Sequence, residues 1–182
     1  ASVLILLMIP VTLVVCVGLF GRTHYYITAL LVMLECMLPF FMVFEGRRPQ
    51  ARELTIIAVL CALGVAGRAA FFMLPQFKPV MALTINAGVA YGGETGFLVG
   101  AMTMLASNVL FCQGPWTPFQ MFSMGIIGFL AGVLFRKGWL RRSRGALAVF
   151  GGIVTFAIYG AIMNPVSALI YGAEMNWQTL LT

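Results

Sequence analysis

Long apolar runs alternate with short polar stretches along the whole chain. A helix that crosses a membrane needs about 20 predominantly apolar residues, or fewer when it is a short or re-entrant segment inside a bundle. On this basis we predict seven helices, at 2–20, 25–44, 54–74, 79–90, 96–111, 118–135 and 146–171. The pattern therefore predicts an all-α fold, a polytopic bundle of transmembrane helices.

Turn-forming residues fill the breaks between these runs. Clusters of Gly, Pro and charged residues end one helix and precede the next. The predicted loops are "EGRRPQARE" at 45–53, "PQFK" at 75–78, "YGGETG" at 91–96, "CQGPWTP" at 112–118 and "RKGWLRRSR" at 136–144. The third and fourth helices are thus predicted to be joined by a tight turn.

Positive charge is concentrated in the loops at 45–53 and 136–144. The first contains Arg47, Arg48 and Arg52, and the second contains Arg136, Lys137, Arg141, Arg142 and Arg144. Short loops rich in Lys and Arg stay in the cytoplasm, and four predicted helices lie between the two, so both loops fall on the same side. The N-terminus and "YGGETG" then face inward, whereas "PQFK", "CQGPWTP" and the tail after Tyr171 face outward.

The composition agrees with a membrane protein. Of the 182 residues, 62% are hydrophobic and 9% are charged, whereas soluble domains are about 45–50% apolar and about 25% charged. The net charge of +6 is explained by the two cytoplasmic loops, so no nucleic-acid partner is indicated. The four cysteines lack the spacing of a zinc site or a disulfide framework and are expected to pack in the core.

Few residues could perform catalysis. The chain has one His and five acidic residues, all of them Glu and spread over separate segments, whereas an active site needs such groups to converge. His24 lies beside Tyr25 and Tyr26 at a predicted helix end, as in an interfacial aromatic belt. Glu35 lies mid-helix and needs a polar partner or a cavity. We expect neither a catalytic nor a metal site.

Polar residues near the outer ends of the helices are candidates for ligand recognition. Arg68 either extends toward the membrane surface or points into an outward-facing cavity. A possible recognition rim consists of Gln76, Lys78, Gln113, Trp116, Gln120, Glu174, Asn176 and Trp177. The alternative is an ordinary wet, aromatic membrane interface. Asn86, Asn108 and Asn164 need hydrogen-bond partners inside the bundle, and Pro165 bends its helix, at either a cavity wall or a packing kink.

Two faces of small residues are predicted. Ala58, Ala62, Ala66 and Ala70 recur every four residues and so share one helix face, where another helix can approach closely. Their periodicity alone does not decide between packing inside the bundle and docking of a partner. A second face at Gly125, Gly128 and Gly132 is assigned to internal packing.

Four ordered segments resemble the substrate-binding S components of energy-coupling factor (ECF) transporters, which are vitamin importers of the ABC class. These are "RELTIIAVLCALGVAGRAAFFMLPQFKP" at 52–79, "INAGVAYGGETGFLVGAMTMLASN" at 85–108, "GPWTPFQMFSMGIIGFLAGVLFRKG" at 114–138 and "AIMNPVSALIYGAEMNW" at 161–177. The resemblance implies a six-helix core at 52–182 whose alanine face docks on a transmembrane coupling subunit, which in turn binds two ATPases. It also implies an outer ligand site that includes Arg68, Asn108, Asn164 and the rim residues.

The chain departs from that pattern in two places. Residues 1–51 add a two-helix hairpin and a basic loop, and the sixth core helix is expected to be missing after Thr182. The chain has no GxxxxGK[ST] loop, so ATP is expected to be used by the partner subunits, with no cofactor bound here. The resemblance implies a bacterial cytoplasmic membrane location and is nearest to S components for cobalamin-type substrates.

Two other functions stay open at this stage. An ion-coupled secondary carrier would have to build its ion site from Glu35, Glu94 and Arg68. A non-transporting membrane scaffold would use the small-residue faces for assembly alone.

Overall fold

The computed structural model describes residues 51–73, 79–114, 116–140 and 143–171, together with Met8, Val11, Thr12, Val15, Leu31, Leu34 and Glu35. In this part of the chain all regular structure is helical, which confirms the predicted fold class. The elements are α1 (Ala51–Ala70), α2 (Val80–Tyr91), α3 (Gly93–Phe111), α4 (Thr117–Arg136), α5 (Arg144–Val154), a π-helical segment (Thr155–Gly160) and α6 (Ala161–Tyr171).

Four helical stretches among the described residues are long and apolar enough to cross a membrane. They are Ala51–Ala70, Gly93–Phe111, Thr117–Arg136 and Arg144–Ser167, and α2 is a shorter apolar helix. The protein is therefore a multi-pass membrane protein. The predicted helices at 2–20 and 25–44 lie mostly outside the described residues, so the N-terminal hairpin stays a prediction.

Local chemistry explains where the helices begin and end. The Ser143 hydroxyl accepts a hydrogen bond from the backbone N–H of Ala146 at 3.2 Å and so caps α5. Pro118 lies in the first turn of α4, where its missing N–H costs nothing. After α4, Gly138 has a φ of 78°, a left-handed conformation that ends the helix.

The predicted inward loop at 91–96 is almost entirely helical. Only Gly92 separates α2 from α3, and α3 begins at Gly93, three residues earlier than predicted. Gly92 has a φ of 110°, a conformation that glycine adopts readily because it has no Cβ. This single residue reverses the direction of the chain. Glu94 in the first turn of α3 adds a favourable charge at the helix N-terminus.

Glycines let α2, α3 and α4 approach backbone to backbone. A Cβ added at Gly96 would lie 2.5 Å from the Gly128 carbonyl oxygen, and one added at Gly100 would lie 2.5 Å from the Met124 carbonyl oxygen. Gly132 faces Gly93 in the same way. The assignment of the Gly125, Gly128 and Gly132 face to internal packing is thereby confirmed, and these contacts fix the depth at which the polar ends of α3 and α4 meet.

Apolar side chains fill the rest of this interior. Phe97, Met121 and Ile127 have no exposed surface. Phe135 at the end of α4 packs edge-on against Phe150 of α5, with ring centroids 5.3 Å apart. This geometry is the one aromatic pairs prefer, and it joins α5 to the core.

Helix α1 lies at the periphery of the bundle. Gly64 is its only buried residue, and a Cβ there would collide with the Thr103 side chain of α3. The Ala58, Ala62, Ala66 and Ala70 face is exposed along its length. Within the described part of the chain this face is therefore uncovered, and its role stays a prediction.

The end of α2, the start of α3 and the end of α4 meet at the side predicted to face inward. Arg136, the last residue of α4, donates through Nη1 to the Tyr91 carbonyl oxygen at the end of α2, at 2.9 Å. This contact confirms that the turn at Gly92 and the basic loop after α4 lie at one end of the bundle. The opposite end brings together the last turns of α1 and α3 and the first turn of α4.

Candidate functional site

Arg68, in the last turn of α1, points into the bundle. Its Nη1 atom donates to the Ser107 hydroxyl oxygen at 2.7 Å and to Asn108 Oδ1 at 2.8 Å. The Met104 sulfur lies 3.5 Å from the same nitrogen. The Arg68 side chain thus bonds to α3 and does not extend toward the membrane surface, whereas the outward-facing cavity stays a prediction. A cation in the last turn is also favoured by the partial negative charge of the helix C-terminus.

Asn108 links Arg68 to the first turn of α4. Its side chain is 1% exposed, and its Nδ2 atom donates to Thr117 Oγ1 at 3.0 Å and to Gln120 Oε1 at 2.9 Å. Both ends of the amide are thus used, the oxygen toward α1 and the nitrogen toward α4. Thr117 Oγ1 also accepts from the Gly114 N–H at 3.3 Å, which holds the turn before α4 to the same group.

Tyr159 brings a fourth element to this group. It lies in the π-helical segment, is partly buried, approaches the Gln120 side chain and lies within electrostatic range of Arg68. A π-helical turn widens a helix and shifts its side chains, and such turns are frequent at functional sites. We call Arg68, Ser107, Asn108, Gln120 and Tyr159 the outer polar cluster, after the outward side predicted for this end of the bundle.

The charge on Arg68 has no carboxylate partner in the described part of the chain. Its contacts there are a hydroxyl, an amide oxygen and a thioether, all neutral. Arg68 itself is partly buried in a membrane-spanning helix. Charged groups in such a setting are costly unless they are paired or face a cavity, and for that reason they mark ligand pathways.

The predicted rim residues are only partly seen. Gln120 belongs to the outer polar cluster, Trp116 is partly buried with its ring over Gly114, and Gln113 is exposed. Five more predicted contacts lie outside the described residues: Gln76, Lys78, Glu174, Asn176 and Trp177.

The three asparagines have different surroundings. Asn108 is buried in the cluster as expected, and Asn164 is partly buried on α6. The expectation of an interhelical partner for Asn86 is wrong. Asn86 is exposed and its Nδ2 atom donates to the Ala82 carbonyl oxygen of its own helix at 2.8 Å, because an amide can satisfy itself within one helical turn.

Two cluster members, Ser107 and Tyr159, were missed in the sequence, and so was Thr117, which bonds to Asn108. Ser107 and Thr117 are small hydroxyl residues that occur in any apolar helix, and Tyr159 resembles an interfacial aromatic. The sequence did contain one signal for them, which is their predicted depth in the membrane, close to that of Arg68. Ser107 is adjacent to Asn108 and Thr117 lies one turn before Gln120, so a search for polar residues at the depth of Arg68 would have found both.

The groups proposed for an ion-coupled carrier are not brought together among the described residues. Thr12 donates through Oγ1 to Glu35 Oε1 at 2.6 Å, whereas Glu35 Oε2 is buried and accepts no hydrogen bond from a described residue. Glu94 lies in the first turn of α3 and Asn108 near its end, about 20 Å away at the rise of an α-helix. No described contact joins either Glu to Arg68.

Comparison with known proteins identifies relatives of this region. Residues 49–182 match the family described as "ECF-type riboflavin transporter, S component". A UPF0397 protein of Vibrio atlanticus (strain LGP32) is 27% identical over 138 residues, which are 72% of this chain and 72% of that protein. No solved structure matches the chain. The matched region includes α1 to α6 and the whole outer polar cluster.

Proposed function

Because the chain belongs to the family of ECF-type riboflavin transporter S components, we propose that it binds a flavin-type vitamin at the outer face of a bacterial cytoplasmic membrane. In this proposal it delivers the vitamin after docking on an ATP-driven module. Membership of this family makes the chain a multi-pass transport component and not an enzyme. The substrate and the docking surface belong to the proposal.

The observation that carries the proposal is the outer polar cluster. It collects hydrogen-bonding side chains from α1, α3, α4 and the π-helical segment in a bundle that is otherwise apolar. Polar groups are costly in a membrane interior, so their convergence at one depth indicates a ligand site. A few placed polar groups in apolar surroundings are also the usual composition of a small-molecule site.

The proposed ligand is a flavin and no longer a cobalamin. The cobalamin-type substrate suggested by the sequence is not supported by the family match, whose description names riboflavin. A flavin has a flat ring system with carbonyl and ring-nitrogen acceptors along one edge. Arg68, Gln120 and Tyr159 supply groups that can bond to such an edge, and Trp116 supplies an aromatic face nearby.

The proposed docking surface is the alanine face of α1, whose residues Ala58, Ala62, Ala66 and Ala70 are exposed. Small residues at four-residue spacing let a second helix approach closely in a membrane. The proposed partner there is the transmembrane coupling subunit, with two ATPase subunits bound to it. Energy would come from those subunits, and this chain would bind no cofactor.

Uptake by whole cells tests the function. Bacteria that can neither make nor import riboflavin receive this chain together with an ECF energising module, and uptake of labelled riboflavin is measured. We expect uptake that requires this chain and stops when the P-loop lysines of both ATPases are replaced. A properly inserted chain that gives no uptake of any vitamin would contradict the proposal.

The same experiment separates the two alternatives. Uptake that continues without the ATPases and is abolished by Glu35→Lys would indicate an ion-coupled carrier. A chain that assembles with partners but neither binds nor imports a vitamin would indicate a scaffold.

A further inference from the structure

Arg68 has one edge that its protein contacts leave unused. Both of its hydrogen bonds to oxygen come from Nη1, and Nε and Nη2 donate to no described residue. Among the described residues, the buried side-chain atoms that lack a partner belong to Glu35, Thr84 and Thr103, and none belongs to Arg68. No described residue therefore occupies the Nε–Nη2 edge of Arg68.

This edge has a defined recognition geometry. A guanidinium is planar, and its Nε–H and one Nη2–H are parallel donors that match two acceptors in the same plane. The orientation of the plane is held by Ser107 and Asn108, and Asn108 is in turn held by Thr117 and Gln120. The donor pair is thus positioned before a ligand arrives, which reduces the entropy lost on binding.

The rest of the cluster is also rich in donors. Asn108 uses its carbonyl oxygen on Arg68 and its amino group on α4, and Gln120 uses its carbonyl oxygen on Asn108. The Gln120 side chain is also engaged in a hydrogen bond with Tyr159. The groups left for a ligand are therefore mainly N–H donors on a cationic side chain, and they select a ligand edge made of acceptors.

We infer that the Nε–Nη2 edge of Arg68 binds two coplanar acceptors on the pyrimidine edge of the flavin ring. The inference rests on the proposed function and adds to it which end of the ligand enters the cluster. A flavin offers two such pairs, the C2 carbonyl oxygen with N1 and the C4 carbonyl oxygen with N5. Because the ribityl chain is carried on N10, next to N1, it lies away from Arg68 when the C4 carbonyl and N5 are the pair that is bound.

The test compares two Arg→Lys variants of the full chain in lipid nanodiscs. Arg68→Lys keeps the charge but removes the planar donor pair, and Arg136→Lys makes the same change at the opposite end of the bundle. Binding is measured by quenching of flavin fluorescence for riboflavin and for lumiflavin, which has the same ring without the ribityl chain. Gel filtration and thermal unfolding verify the fold of each variant.

We expect Arg68→Lys to weaken the binding of both ligands by the same factor. The factor should be about tenfold or more, because a bidentate charged contact is lost. Arg136→Lys should bind both ligands as the wild type does. Unchanged binding by a folded Arg68→Lys variant would overturn the inference and leave the proposed function intact. A loss restricted to riboflavin would place Arg68 at the ribityl chain and overturn it too. A folded wild type that binds neither flavin would overturn the proposed function itself.

Analogues test the same contact without any mutation. In 5-deazariboflavin and 1-deazariboflavin, one ring nitrogen acceptor is replaced by C–H. The wild type should bind one of the two at least about tenfold more weakly than riboflavin. Equal affinity for all three compounds would overturn the inference even if Arg68→Lys failed to fold.

Discussion

Arg68 and Asn108 are 40 positions apart in the chain, yet Nη1 of one lies 2.8 Å from Oδ1 of the other. This bond joins the outer end of a peripheral helix to a side chain that is 1% exposed. The alanine face and Arg68 of the outer polar cluster thus lie on the same helix, α1. The proposed ligand site and the proposed docking surface therefore share one helix.

Asn108→Ala should lower the free energy of unfolding by about 1–3 kcal/mol, since it leaves a buried charge and two α4 side chains without their partner. The measurement is thermal or denaturant unfolding of the purified chain in detergent. Asn86→Ala is the matched control, because Asn86 is exposed and bonds only to its own helix. Equal stability of the two variants would show that the cluster does not stabilise the bundle.

Gly128→Ala should destabilise the bundle by about 1–3 kcal/mol, the usual result of overpacking a core. The added methyl group would meet the Gly96 backbone. Gly152→Ala serves as the control, since a Cβ at this position meets nothing within 4 Å. Replacing a mid-helix glycine by alanine should stabilise the helix by about 0.5–1 kcal/mol. Opposite signs of the two changes in unfolding free energy are expected, and a stabilising Gly128→Ala would contradict the packing described here.

The glycine face could be predicted from the sequence because spacing alone places Gly125, Gly128 and Gly132 on one side of a helix. The turn at Gly92 could not, because "YGGETG" has the composition of a loop. Helix α3 begins inside it only because close packing on α4 compensates for two weak helix formers. The start of α3 therefore depends on backbone contacts between segments that are distant in the chain. The spacing of residues in the sequence does not reveal such contacts.

Ala62→Leu should prevent co-purification of the ATPase subunits while riboflavin binding stays unchanged. The leucine adds a bulky side chain to a face that needs close helix approach. Ala148→Leu makes the same substitution at an exposed position of α5 and should retain the complex. Affinity purification through a tag on the ATPase measures both. Loss of the complex in both variants, or in neither, would remove the alanine face as the docking surface.

Tyr159→Phe should weaken riboflavin binding by about fivefold, which corresponds to roughly 1 kcal/mol for one hydrogen bond. The hydroxyl approaches Gln120 in the outer polar cluster, whereas the ring stays in place. Tyr91→Phe, exposed at the inner end, is the control. If both variants bind as the wild type does, the π-helical segment does not contribute its tyrosine to the site.

The candidate site was partly predictable. Arg68, Asn108 and Gln120 stand out because charged and amide side chains are conspicuous in apolar helices. Which way Arg68 points could not be predicted, since the side chain is long enough to reach either the surface or the interior. Tyr159 was missed because a π-helical turn alters the faces of its helix, and helical periodicity assumes 3.6 residues per turn.

The most direct test of the central claim is an equilibrium titration of the purified wild-type chain, in lipid nanodiscs, with riboflavin and separately with cobalamin. The account predicts saturable binding of one riboflavin per chain, with no displacement by cobalamin. A folded chain that shows no saturable riboflavin binding, or that binds cobalamin in its place, would contradict it.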